Sequence, residues 1–251
     1  MKTLFISDIH LNQNNPNVVN LFLNFLKYQA STANSLYILG DLFDIWIGDD
    51  HIDEMSLKIS KTLKNLAIQG TSCYFIRGNR DFLIGKKYTK LANIILLPNE
   101  TVINLNGKST LLLHGDTLCT HDRKYQNFRK TINQNWIKNF FLKLPVHLRI
   151  KISNFIKKTS IISNKNKTSK IMDVNQKYVL NLMQKTKTCI MIHGHTHIPM
   201  IHCLPKSHYR IVLGTWNNTG CVLEAKKNLT LIKFSKHLKS TTLYTLKNFK
   251  N

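Results

Sequence analysis

Asp8 and His10, Asp41, Asn79, His114, and His195 with His197 are the side chains of this sequence best suited to hold metal ions. Divalent first-row metals favour imidazole and carboxylate ligands. Two such ions about 3.5–4 Å apart need an oxygen ligand that both can share. Asp8 and His10 are two residues apart, so both can face one side of a turning segment, and His195 with His197 repeats that spacing. Asp41 follows Gly40, Asn79 offers a neutral carbonyl oxygen, and His114 adds another nitrogen. A metal pair in such a cage makes hydroxide available near neutral pH, because the pKa of a bound water falls to about 7, and hydroxide can attack phosphorus.

Each of these positions follows an apolar run. The runs are Thr3-Leu4-Phe5-Ile6, Leu36-Tyr37-Ile38-Leu39, Cys73-Tyr74-Phe75-Ile76, Thr110-Leu111-Leu112-Leu113 and Cys189-Ile190-Met191-Ile192. A buried strand ending in a ligating side chain places it at a sheet edge, where open α/β folds bind ligands. Between the first strands, Val18-Val19, Phe22-Leu23 and Phe25-Leu26, then Met55, Ile59, Leu63 and Leu66, recur at helical spacing. The alternation predicts an α/β fold with right-handed crossovers onto a largely parallel sheet over residues 1–118. From 94 to 114 short strands surround turns, with Asn106-Gly107 a hairpin signal.

Residues 121–170 differ from their surroundings, with 13 Lys or Arg and one acid, Asp122. Trp136, Phe140, Phe141, Leu144 and Leu148, then Ile152, Phe155 and Ile156, fall at helical spacing, with Pro145 between the two stretches. We expect a helical insertion with one apolar and one basic face. The expected organisation is a core of residues 1–120 and 171–234, a helical cap of 121–170, and a frayed basic tail of 235–251. Helical spacing returns over 171–183, and short strands are expected at Arg210–Leu213, Cys221–Leu223 and Leu229–Ile232.

At 251 residues and 43% hydrophobic content, the chain can bury a core without disulfides. Its five cysteines are odd in number and widely spaced, as expected of reduced thiols in the cytosol. The first strand starts at once, without a signal peptide's apolar region, and no apolar run approaches the roughly 20 residues of a membrane span. The formal net charge is +23, yet only six of the 36 basic residues are Arg. We read most of that excess as compositional drift toward Lys, Asn and Ile. A nucleic-acid-binding module is disfavoured, because no such motif occurs and the metal set would have no purpose.

The ordered set Asp8-x-His10, Gly40-Asp41-x-x-Asp44, Gly78-Asn79-x-Asp81, His114-Gly115 and Gly194-His195-x-His197 resembles the calcineurin-like metallophosphoesterase family. The resemblance implies a β-sandwich core flanked by helices and two Mn²⁺ ions per chain. Asp8, His10, Asp41 and His197 would hold one ion, and Asp41 would bridge to a second held by Asn79, His114 and His195. Most members of that family carry His after the Asn, whereas this chain has Arg80, a fixed cation that grips phosphate oxygens. Arg80, the basic insertion, and the runs Gly40–Asp50 and His114–Asp122 resemble the branch acting on a UDP-linked diacylated glucosamine in lipid A biosynthesis. That implies water attack at the α-phosphorus, giving UMP and 2,3-diacylglucosamine 1-phosphate, with Asp41, Asn79, Arg80 and His195 as catalytic residues. Asn79, Arg80, Asp122, Ser160, Asn164, Lys167 and His195 would contact the substrate. An apolar chamber for acyl chains would come from Phe128, Trp136, Phe140, Phe141, Leu144, Phe155 and Ile156. A monomer on the anionic cytoplasmic face of the bacterial inner membrane is expected. The alternative is another dinuclear phosphoesterase acting on nucleotides or phosphodiesters.

Asp44 and Asp81 are expected to orient ligands or cap helices. Asp49, Asp50 and His51 read as a solvated loop, His202 and His208 as exposed residues flanking a hairpin, and Trp216 as a brace for the histidine loop. His121 lies in a matching run without an assigned role.

Overall fold

The structure is a computed structural model that describes residues 1–165, 173–237 and 239–247. Strands β1 (Thr3–Ile6), β2 (Ser35–Leu39), β3 (Ser72–Ile76) and β4 (Ile95–Leu96) alternate with helices α1 (Pro16–Tyr28), α2 (Glu54–Ile68) and α3 (Lys86–Ala92). β5 (Glu100–Leu105) and β6 (Lys108–Leu113) form a hairpin, with Asn106 at φ 52 and Gly107 at φ 90, as a type I′ turn requires. Among the described residues, three helices of the insertion follow: α4 (Arg123–Ile132), α5 (Asn135–Lys143) and α6 (Val146–Lys165). The chain returns through α7 (Gln176–Thr186), β7 (Ile190–His193), β8 (Met200–Leu204), β9 (His208–Val212), β10 (Thr219–Ala225), β11 (Leu229–Ser235) and β12 (Ser240–Leu246).

These strands form two sheets, as the family resemblance implies; β1 to β4 are the parallel part expected over the first half, while β5 and β6 belong to the second sheet. The first has the order β12-β11-β10-β1-β2-β3-β4 and the second β5-β6-β7-β9-β8. β1 to β4 run parallel, as do β6, β7 and β9, while β5, β8 and β10 to β12 pair antiparallel. Both faces of the central strands are buried, and the period-two alternation of side chains sorts them into three cores. Phe5, Leu39 and Ile76 meet Leu112, Ile190, Ile192 and Ile211 between the sheets. Leu4, Ile6, Leu36 and Ile38 pack outward on Phe22, Phe25, Ile59 and Leu63 of α1 and α2. Leu111, Leu113 and Met191 pack on Val179, Leu182 and Met183 of α7. The result is a β-sandwich with helices on both outer faces.

Residues 235–251 are not simply a frayed tail. Ser240–Leu246 forms β12, the edge strand on β11, because its extended backbone completes the open side of that sheet. β8 and β9 form the hairpin expected near His202 and His208, whereas the short α3 was not anticipated. Trp216 is buried against Phe22, Phe25 and Phe234, and its amide donates to the Asp8 carbonyl at 3.1 Å. It therefore braces the loop after β1 rather than the histidine loop. None of the five cysteines forms a disulfide, and among the described residues no helix is long and apolar enough to cross a membrane.

Candidate active site

Five loops leave the carboxyl ends of parallel strands in both sheets: β1, β2 and β3 from one, β6 and β7 from the other. They are stitched together by backbone hydrogen bonds, Asp8 N to Gly40 O at 3.1 Å, His10 N to Asp41 O at 3.0 Å and Gly194 N to His114 O at 2.8 Å. All seven expected ligands gather there. His10 Nε2 lies 3.4 Å from His197 Nε2, and His197 Nε2 lies 3.3 Å from Asp8 Oδ1. Asp41 Oδ2 stands between two imidazoles, 3.9 Å from His10 Nε2 and 3.7 Å from His114 Nε2. Asn79 Oδ1 faces His114 Nε2 at 2.9 Å and His195 Nδ1 at 3.1 Å. His114 uses Nδ1 on the Leu39 carbonyl at 2.9 Å, which aims its Nε2 into the cage.

The backbone at these residues is unusual. Asp8, His10, Asp41, His195 and His197 all have φ between 52 and 68. The left-handed region costs a non-glycine residue roughly 1–2 kcal/mol, and such strain collects at functional sites. Asp81 offsets it at one loop, accepting from Leu42 N at 2.7 Å and Gly78 N at 2.8 Å. A Cβ on Gly78 would overlap Asp41 Oδ1, and one on Gly194 would overlap Asp8 Oδ2, so both positions require glycine.

Burial raises the Asp8 carboxyl, but the adjacent His197, His114 and His10 outweigh it and hold Asp8 well below the usual carboxylate range. Burial pushes Asp41 up to about 7, against the pull of His114. His114 is disfavoured as a cation by burial, yet Asp41 and Asp8 raise it to about 9. Burial lowers His10 and His195 each to about 4, so both present neutral nitrogens. Buried Asp8 Oδ1 accepts no hydrogen bond among the described residues. An orphaned carboxylate oxygen among convergent imidazoles, with no thiolate in the set, fits divalent cations.

The cage opens into a cleft of about 1300 Å³ between core and insertion. Arg80, Asp122 and Ser160 line it together with Asn79 and His195. The Arg80 amide donates to Asp41 Oδ1 at 2.9 Å. Asp122 also caps α4, accepting from Tyr125 N at 3.1 Å. Lys167 lies outside the described residues, as does the side chain of Asn164. Phe128, Ile132, Phe155 and Ile156 give the cleft an apolar wall. Trp136, Phe140, Phe141 and Leu144 do not join that wall; α5 turns Trp136 and Phe140 outward, 68% and 63% exposed. His121 is exposed as well and does not line the cleft.

Some site residues lay beyond the reach of the sequence. Asp116 is buried and accepts from the Tyr125 hydroxyl at 2.8 Å and from Arg129, and the Tyr125 ring stacks on His195 at 6.1 Å between centroids. Asp44 pairs with Lys157 of α6 and accepts from Asn12 at 2.8 Å, so it ties the insertion to the core instead of orienting a ligand. Asp49 and Asp50 are not merely solvated. Asp49 accepts from Trp46 Nε1 at 3.0 Å and Tyr88 N at 2.9 Å, and Asp50 pairs with Arg149. His193 is buried, and burial with the nearby Arg210 charge lowers it to about 3.

A β-sandwich whose strand-end loops from both sheets converge on carboxylates, imidazoles and an amide is the frame of a metal-dependent phosphoesterase. The chain belongs to the calcineurin-like phosphoesterase family, whose profile matches residues 1–199. It is 52% identical over 247 residues to a protein of Wigglesworthia glossinidia brevipalpis named UDP-2,3-diacylglucosamine hydrolase, covering 98% of this chain and 100% of that one. A protein of the same name from Photorhabdus laumondii is 48% identical, with 93% and 99% covered. Among solved structures, Vacuolar Protein Sorting 29 of Cryptosporidium parvum shares the fold at 11% identity and a TM-score of 0.51, with 98% and 97% covered. A phosphoesterase of E. coli does so at 15% identity and a TM-score of 0.50, with 99% and 100% covered.

Proposed function

We propose that the chain hydrolyses the pyrophosphate bond of UDP-2,3-diacylglucosamine, releasing UMP and 2,3-diacylglucosamine 1-phosphate in lipid A biosynthesis. The observation that carries this reading is end-to-end similarity to relatives named for that substrate, at 52% and 48% identity. The cleft supports it by joining a charged cage to an apolar wall. A soluble nucleotide needs no such wall, whereas each acyl CH₂ buried there contributes about 0.8 kcal/mol.

Asp8, His10, Asp41 and His197 would hold one Mn²⁺, and Asp41, Asn79, His114 and His195 the other. The placement of Asp41 Oδ2 between His10 and His114 favours Asp41 as the shared ligand. Bound there, the ions would supply Lewis acidity toward phosphate oxygens and a hydroxide nucleophile at neutral pH. Arg80 holds a phosphate oxygen as a fixed cation, with Asn79 and His195 beside it. Asp122, Ser160, Asn164 and Lys167 of the cap orient the glucosamine and its phosphate. Phe128, Ile132, Phe155 and Ile156 take the acyl chains and keep water from that side of the cleft.

Outside the cleft, Trp136 and Phe140 stand exposed on an insertion with 13 basic residues and one acid. That combination suits a monomer lying on an anionic bilayer at the cytoplasmic side of the inner membrane, where a lipid-linked substrate resides. The decisive experiment is incubation of manganese-loaded protein with the diacylated UDP-sugar, with products followed by ³¹P NMR. UMP and the sugar 1-phosphate are expected. Turnover of soluble dinucleotides or phosphodiesters, without cleavage of the lipid substrate, would favour a general dinuclear phosphoesterase instead.

A further inference from the structure

One peptide unit of the cage is held at both ends. The Gly194 carbonyl oxygen accepts from His193 Nδ1 at 2.8 Å, while the His195 amide donates to Asp8 Oδ2 at 2.9 Å. His195 has φ 68, a conformation that its own side chain disfavours, so the peptide needs external restraint. His193 ends β7, is fully buried and does not reach the cleft. To donate to a carbonyl its Nδ1 must carry the proton, which leaves Nε2 as an acceptor. Arg210, on the neighbouring strand β9, donates to that nitrogen from Nη1 at 3.2 Å.

Arg210 is 4% exposed, and among the described residues no carboxylate lies within ion-pair distance of it. A buried cation without a paired carboxylate is costly, and an apolar side chain of similar length would fill the space more cheaply. Packing alone therefore gives no reason for a guanidinium. Its hydrogen bond to His193 does, because it fixes both the tautomer and the tilt of the ring that pins Gly194.

We propose that Arg210 and His193 form a positioning relay that sets the Gly194–His195 peptide, and through it the Asp8 and His195 ligands. The inference rests on the metal-centre reading given above. His193 lies away from the cleft and Arg210 lines it, and the role proposed for both runs through the loop.

The test uses the full chain with Arg210→Met, Arg210→Lys and His193→Gln, the last of which offers Arg210 an amide acceptor but removes the ring Nδ1–H that meets Gly194. Mn²⁺ affinity is read by calorimetric titration, kcat and KM on the lipid substrate, and melting temperature on metal-stripped protein. Arg210→Met and His193→Gln are each expected to weaken Mn²⁺ binding about 10–100-fold and to lower kcat more than they raise KM. Arg210→Lys recovers part of the loss, and the double variant Arg210→Met/His193→Gln loses no more than the worse single one. Unchanged Mn²⁺ affinity in either folded variant, or losses that add in the double variant, would overturn the relay. His193→Gln carries the test if Arg210→Met does not fold. Mn²⁺ titration needs no lipid, so absence of binding to the unaltered chain would instead count against the metal centre itself.

Discussion

The guanidinium of Arg149, on α6 of the insertion, is buried against the core loop that carries Asp50. It donates to the Ile47 carbonyl at 2.7 Å and to Asp50 Oδ1 at 2.8 Å, and a second nitrogen grips Asp50 Oδ2. Asp50 follows Gly48 by two residues, and a Cβ on Gly48 would overlap this pair's neighbourhood, so the loop is shaped to receive the arginine. Asp50→Ala leaves a buried guanidinium short of acceptors. It is expected to lower the unfolding free energy by about 1–3 kcal/mol, read from urea midpoints. A change under a few tenths would mean that the insertion docks without this contact.

Asp8 and His114 are buried and belong to the same cluster of convergent ligand atoms. Asp8→Ala or His114→Ala is expected to abolish turnover while circular dichroism stays that of the unaltered chain. Retained activity in metal-stripped protein would contradict that expectation.

Mn²⁺ that binds only the folded chain raises its stability by mass action. At a free concentration 100 times the dissociation constant the gain is about 2.7 kcal/mol, seen as a rise in melting temperature. Asp41→Asn should remove most of that rise, since Asp41 Oδ2 faces both His10 and His114.

Arg80 lines the cleft and touches Asp41 only through its backbone amide. Arg80→Ala is expected to cut kcat/KM about 10²–10³-fold with metal content unchanged, as loss of a group that stabilises phosphate charge should. Loss of both ions in that variant, measured by elemental analysis, would refute a phosphate-holding role.

Asp44 is raised by burial, but Lys157 and Asn12 more than offset this and hold its carboxyl below the usual carboxylate range. The unfolded chain therefore binds a proton here more readily than the folded one. The contribution of the pair is full above the unfolded value and is lost as pH falls through the lower folded value. Lys157→Met should accordingly be less stable than the unaltered chain at neutral pH, with the gap closing below about pH 4. A pH-independent gap would place the effect in packing.

The sequence exposes the cage well, because strong apolar strands end on its ligands and their order along the chain is distinctive. It exposes poorly whatever joins distant segments. Arg149 with Asp50 and Asp44 with Lys157 span 99 and 113 residues, and no local pattern marks either. β12 escaped because Ser240–Leu246 is mostly Ser and Thr and mostly exposed, as an edge strand can be. Left-handed backbone at Asp8 and Asp41 is likewise invisible, since no glycine announces it. Arginine is a better guide than total charge. Of six arginines, Arg77, Arg80, Arg129 and Arg210 line the cleft, Arg149 is buried, and Arg123 alone is exposed. In a chain so rich in lysine, the planar fork persists where directed hydrogen bonds are needed.

Asp8, Asp41 and Asn79 hang from one layer of strands, His114 and His195 from the layer facing it. A cation gripped by both is a rivet through the sandwich. Each of the two proposed shells draws ligands from both layers, so parting the layers would open both shells, and loading would hold the layers together.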